Sequence, residues 1–130
     1  MREIKFRGKR KDTNEWVYGY LAEDDNGNPI IIHKSINASF YEVIPETVGQ
    51  YTGVKDKNKK EVYKGDIIEI RDLFGTPQTI VVVEWNDYGY FGVTEKGRGM
   101  IDYLAGLKTN CVNFVVIGNI YENPELLEEG

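Results

Sequence analysis

Residues 16–32 read WVYGYLAEDDNGNPIII, and this stretch sets the fold class. Trp16, Tyr18 and Tyr20 recur at period two, which places them on one face of an extended strand. Aromatic residues favour the pleated, half-buried surface of a sheet. Gly19 between them leaves room for a cross-strand aromatic or a bulge. Asp25, Asn26, Gly27 and Asn28 then break the pattern. Asn-Gly supplies two residues that tolerate positive φ, so a type I′ hairpin turn is predicted here. Pro29 opens a second apolar strand over residues 30–32, ending near His33.

Working outward, the same alternation appears upstream. Ile4 and Phe6 are apolar while Glu3, Lys5 and Arg7 are polar, the mark of a strand with one wet face. Asp12, Thr13 and Asn14 read as the turn that folds it onto residues 16–21. Downstream, residues 40–44 are a candidate short strand, stopped by Pro45. Beyond Pro45 the pattern changes, with glycines at 49, 53 and 65 and a polar loop over 56–60. Gly65-Asp66 is a sharp corner of the kind small SH3-like barrels use, leading into a β-branched strand at 67–70 with Glu69 facing out. Gly75, Thr76 and Pro77 turn the chain into a strongly β-branched run at 79–85, and residues 88–94 return. Ile101, Leu104, Ala105 and Lys108 sit at helical spacing with Asp102 in the first turn, so one short helix is predicted near 101–108. A last strand follows over 112–120. Asn123 as cap and Pro124 at the first position predict a final helical turn. The expected architecture is mainly β within a single compact unit, residues 1–130. It comprises an N-terminal β-hairpin portion, 1–45, and a C-terminal SH3-like small barrel, 46–130.

Composition narrows the function classes. A chain of 130 residues suits one domain with its own core. Its longest apolar run, residues 114–117, is far below the ~20 residues of a membrane-spanning helix. The opening MREIKFRGKRK lacks the apolar centre of a signal peptide, so a cytoplasmic location is expected. Cys111 is the single cysteine, which excludes an internal disulfide and reads as a small core residue. The net charge of −5 argues against a generic nucleic-acid coat. Charge is unevenly placed, however, with +5 net over residues 1–11 and −4 net over residues 122–130. A basic arm and an acidic tail can attract one another between subunits.

Three blocks carry a family resemblance. They are REIKFRGKRKDTNEWVYGYL at 2–21, VIPETVGQYTGVKDKNKKEVYKGDII at 43–68, and the ending VIGNIYENPELL at 116–127. In this order and spread over most of the chain, they resemble the YopX family of phage and prophage proteins. Residues 72–112 match less distinctively. Lys59 departs from the pattern, where the family commonly has a glycine after Asn58. The resemblance implies a β-rich fold with an SH3-like barrel in the C-terminal half, an N-terminal β portion that helps subunits associate, and a place inside the host bacterial cell. It implies no catalytic residues.

Catalytic chemistry finds little purchase. His33 is the only histidine, so a site built from two histidines within one chain is excluded. Residues 24–28 look superficially like a calcium loop, but the twelfth place, which needs glutamate, is Ser35. His33 and Ser35 are close in sequence, with no orienting acid identified. No phosphate-binding glycine loop is present. Glu61, Asp66, Glu69, Asp72 and Glu84 form no distinctive pair in a chain with 21 acids. A non-enzymatic protein without cofactor or metal is therefore expected.

Two binding classes remain. The first is a homo-oligomeric protein-interaction module with an unassigned host or phage partner, supported by nine tyrosines, exposed strand edges and oppositely charged termini. The second is a nucleic-acid-binding module. In it Lys5, Arg7, Lys9, Arg10 and Lys11 contact phosphates while Tyr51, Tyr63 or Tyr88 stack on bases. The lysines at 55, 57, 59, 60 and 64 alternate with Asp56 and Glu61, which weakens their attraction for an anion.

Overall fold

The structure is a computed structural model that describes residues 4–33, 39–85, 91–95, 99–103 and 113–127. The chain divides into two compact units, Met1–Gly53 and Val54–Gly130. Both are built from antiparallel strands, and among the described residues no helix reaches seven residues.

In the first unit the strands are β1 (Phe6–Lys9), β2 (Trp16–Glu23), β3 (Pro29–Ile32) and β4 (Phe40–Glu42), followed by a single 3-10 turn at Pro45–Thr47 and then β5 (Gly49–Lys55). Their order across the sheet is β4-β3-β2-β1-β5. The strand expected near residues 3–7 begins later, at Phe6, and Ile4 lies exposed. β2 changes partner along its length. Its residues 16–19 pair with β1, and 20–23 pair with β3. Gly19 sits at the change-over, where an added Cβ would collide with the Ile32 carbonyl. The room that glycine provides is thus taken by backbone, not by an aromatic ring or a bulge. Gly8 serves a similar end: a Cβ there would lie 3.0 Å from the Cβ of fully buried Val43. The turn at Pro45–Thr47 is tied to β1. Lys9 N–H donates to Thr47 Oγ1 (2.9 Å), and the Thr47 hydroxyl donates to the Ile44 carbonyl (2.6 Å).

In the second unit, the end of β5 turns into β6 (Glu61–Tyr63). After them come β7 (Asp66–Arg71), β8 (Pro77–Trp85), β9 (Phe91–Glu95), β10 (Gly99–Tyr103), β11 (Asn113–Asn119) and a terminal 3-10 turn, Pro124–Leu127. The sheet order is β10-β9-β8-β7-β11. Val62, Ile68, Ile70, Val81, Val83 and Phe114 pack into one core, flanked by Val54 and Val116. The register explains the grouping, since Ile68 faces both Val81 and Val116, and Ile70 faces Phe114. Directly opposed residues share a face, so β-branched residues two apart on neighbouring strands form one apolar layer. Each fully buried valine or isoleucine adds about 1.5–3 kcal/mol to such a layer. The Gly65 corner stands as read, with φ at +92°. Gly65 N–H donates to the Val83 carbonyl, and its own carbonyl accepts from Ile120 N–H, both at 2.9 Å.

The helix expected near 101–108 is corrected. Residues 99–103 form β10 and pair with β9, with Met100 opposite Thr94 and Asp102 opposite Val93. Ile101 is an extra residue in that ladder. Such a bulge breaks strict alternation and leaves apolar residues at a spacing that imitates a helix. Residues 104–108 lie outside the described residues, as do Ser35, Tyr88 and Cys111. The Asn-Gly turn is also corrected. Only Gly27 has positive φ there, +82°, whereas a type I′ turn needs two such residues. The described pairings of the second unit form a five-stranded antiparallel sheet. The terminal turn forms as expected, but Asn123 is used differently. Its Oδ1 accepts from Asn119 N–H (3.2 Å).

Candidate interaction surface

Three hairpin loops share one construction. In residues 24–28, 56–60 and 72–76 an aspartate leads, and its Oδ1 accepts from the backbone N–H two and four residues on. The acceptances are Asn26 and Asn28 at 2.9 Å each, Asn58 and Lys60 at 2.8 and 2.9 Å, and Phe74 and Thr76 at 2.9 Å each. In every case the aspartate N–H donates to the carbonyl four on, and the fourth residue's N–H returns to the aspartate carbonyl. That fourth residue has positive φ: Gly27 at +82°, Lys59 at +67° and Gly75 at +84°. Aspartate suits the first place because its short carboxylate reaches backbone donors just ahead of it. These loops hold rigidly whatever they carry at their second and third places.

What the third loop carries is Leu73 and Phe74, which are 76% and 94% exposed. Two large apolar side chains are thereby presented to solvent on a braced hairpin tip. A second apolar surface lies on the sheet of the first unit. Tyr20 is directly opposite Ile32, and Ile32 is directly opposite Phe40. The row therefore runs across three strands on one face, with Tyr18 two residues before Tyr20. Tyr18, Tyr20 and Phe40 are 41%, 49% and 66% exposed. β4, which carries Phe40, is the edge strand of that sheet.

The basic residues singled out in the sequence separate into two groups. Arg7 opposes Tyr18 and Lys9 opposes Trp16. The Arg7 guanidinium lies 4.5 Å from the Trp16 ring centroid, and Lys9 Nζ lies 5.7 Å from it. Lys5 Nζ is 5.6 Å from the centre of the Tyr51 ring. These are cation–π contacts, which hold a cation against a ring face. Arg7 is buried by them, and Tyr51 is buried too. Arg10 and Lys11 lie beyond the end of β1. Arg10 stacks on Tyr41 at 4.3 Å and binds Asp12 through two parallel hydrogen bonds of 2.9 and 2.7 Å. The hydrogen bond to Asp12 raises the Arg10 pKa, and the same bond lowers that of Asp12. Lys11 Nζ pairs with Glu42 at 2.9 Å. With Phe40 and Tyr41 these groups line a recess of about 370 Å³ whose charges are matched in pairs. Tyr63 is buried in the second unit, its hydroxyl donating to Glu61 Oε1 (3.1 Å). Lys5, Arg7, Lys9 and Tyr51 thus come together in the first unit, while Tyr63 belongs to the second.

Among the described residues no group of three or more His, Cys, Asp or Glu is placed to hold a metal ion. Nor is any helix there long and apolar enough to cross a membrane.

A family model described as YopX protein matches residues 5–128, nearly the whole chain. The chain belongs to the YopX family. The YopX match spans both units and all three aspartate-led loops. The fold is similar to that in the crystal structure of protein EF1440 from Enterococcus faecalis, at a TM-score of 0.64 and 23% identity, covering 98% of this chain and all of that one. That likeness concerns the fold. No curated protein matches the chain.

Leu73, Phe74 and Phe40 were missed as surface residues when the sequence was read alone. The signal for the first two is local. A turn bounded by Asp72 and Gly75 ordinarily carries polar residues, and leucine followed by phenylalanine there is out of place for a solvated loop.

Proposed function

We propose that this YopX-family chain is a non-enzymatic, homo-oligomeric protein-interaction module of a phage or prophage, working in the bacterial cytoplasm. The observation that carries the proposal is the exposed aromatic row Tyr18, Tyr20 and Phe40 on the sheet of the first unit. Monomeric proteins seldom leave contiguous apolar rings in water, and tyrosine and phenylalanine are enriched where protein surfaces meet. The SH3-like reading of the second unit belongs to the same proposal. It is supported by five antiparallel strands, the tight Gly65 corner and bulges at Ile101 and Ile117. Sedimentation velocity from low to high micromolar concentration tests the proposal. A concentration-dependent shift to a discrete larger species is expected, and a single monomer peak throughout defeats it.

A nucleic-acid-binding module is the second reading. It is favoured by Lys5 and Lys9, half-buried against the rings of Tyr51 and Trp16. If it holds, single-stranded DNA binds with an affinity that falls steeply as salt rises. Binding indifferent to salt, or none, removes it.

A further inference from the structure

The Leu73–Phe74 tip has no role in the contacts described so far. Its rigidity matters, because a side chain fixed in place by its loop loses little freedom on binding. Asp72 braces the loop through Phe74 N–H and Thr76 N–H, and Gly75 takes the backbone conformation that the loop requires. Apolar tips of this shape seat either in lipid or in protein. Lipid-seeking tips carry lysine or arginine around their apolar residues. Residues 69–78 hold one cation, Arg71, which is paired with Glu69 at 2.8 Å, and a second acid, Asp72. The charge around the tip therefore suits protein.

A second copy of the chain offers an exposed aromatic face to receive such a tip. Resting on the self-association proposed above, we infer that the Leu73–Phe74 tip of one copy seats on the Tyr18, Tyr20 and Phe40 face of another, and that a two-fold axis repeats the contact. Area supports the repeat. Leu73 and Phe74 together offer roughly 300 Å² of apolar surface, and the three aromatics offer about as much. One contact then removes roughly 600 Å² from water, enough for a weak association, whereas two reach about 1,200 Å², the lower end of the stable range. Closed symmetry supplies two copies of such a contact without further sequence.

The test uses the full chain and two variants. Leu73→Ser with Phe74→Ser alters the tip, and Tyr20→Asp with Phe40→Asp alters the face. All four positions are exposed, so unchanged circular dichroism and melting temperature verify folding. Sedimentation of each protein alone is expected to show the wild type as a dimer and each variant weakened by roughly tenfold or more. Mixing the two variants is expected to restore part of the association, because one intact tip then meets one intact face. A monomeric wild type overturns self-association and this inference together. A dimeric wild type with an equally dimeric tip variant overturns only the inference. Weakened variants whose mixture shows no recovery also overturn it, since an interface that pairs tip with tip and face with face behaves that way.

Discussion

The loops at 56–60 and 72–76 share a backbone and differ in where the second carboxylate oxygen goes. In the Asp72 loop that oxygen accepts a long bond from Gln78 Nε2 (3.3 Å) in an exposed setting. In the Asp56 loop it accepts from Val116 N–H (2.9 Å) in β11, sixty residues further on. Lys57 N–H adds a bond to the Phe114 carbonyl (3.1 Å) in the same strand. Asp56 is buried while Asp72 is only partly so. One local device thus does two jobs. In one place it supports a tip that faces solvent, and in the other it fastens a distant strand.

The comparison breaks most visibly at Asp56. Asp56→Ala is expected to destabilise the fold by about 3 kcal/mol, because three partly buried backbone N–H groups lose a charged acceptor and the tie to β11 is cut. Urea unfolding checks this, and a loss close to that of the exposed loop would make the two loops equivalent. Asp72→Ala is expected to cost about 1 kcal/mol, since water replaces the lost acceptor. The change should leave the second unit's core intact and increase local hydrogen exchange at Phe74 and Thr76. Lys59→Gly runs the other way. Lys59 has φ of +67°, a conformation that costs a side chain roughly 1–2 kcal/mol. Glycine removes that cost but gains freedom in the unfolded chain, so a net stabilisation of roughly 0.5 kcal/mol is expected. An unchanged urea midpoint would show that the loop holds Lys59 without strain.

The smallest effect concerns Asp24 in the first loop. Its pKa is lowered chiefly by the hydrogen bond from Asn28 N–H. A lowered folded value means that its contribution is complete above the ordinary aspartate range and is lost as pH falls through the folded value. An NMR titration is expected to place the Asp24 carboxyl below the ordinary aspartate range. The Asp24→Asn variant should lose less stability than wild type on acidification through that range.

Much of the fold was legible in the residues. The hairpin of β2 and β3 followed from the period-two aromatics and the polar turn, and the Gly65-Asp66 corner followed from its glycine. What escaped depends on partners far apart in sequence. β5 and β6 are short or interrupted by glycine, and their pairing is set by neighbours rather than by propensity. β10 was hidden because the bulge at Ile101 shifts the apolar spacing. The surface was less legible than the fold. A cationic run at the N-terminus reads as one patch, yet strand alternation sends Arg7 and Lys9 onto Trp16, while Arg10 goes to Tyr41 and Asp12. Whether a tyrosine is buried like Tyr51 and Tyr63 or exposed like Tyr20 depends on tertiary neighbours that alternation alone does not reveal.

The stacking of Arg7 and Lys9 on Trp16 has an optical consequence. The chain has two tryptophans, Trp16 in the first unit and Trp85, 45% exposed, at the end of β8 in the second. Each unit therefore carries its own fluorophore in its own surroundings, one ringed by cations and one open to water. With Trp85→Phe the emission reports the first unit alone, and with Trp16→Phe it reports the second. The melting of each half can thus be followed in its own single-tryptophan variant, without any added dye.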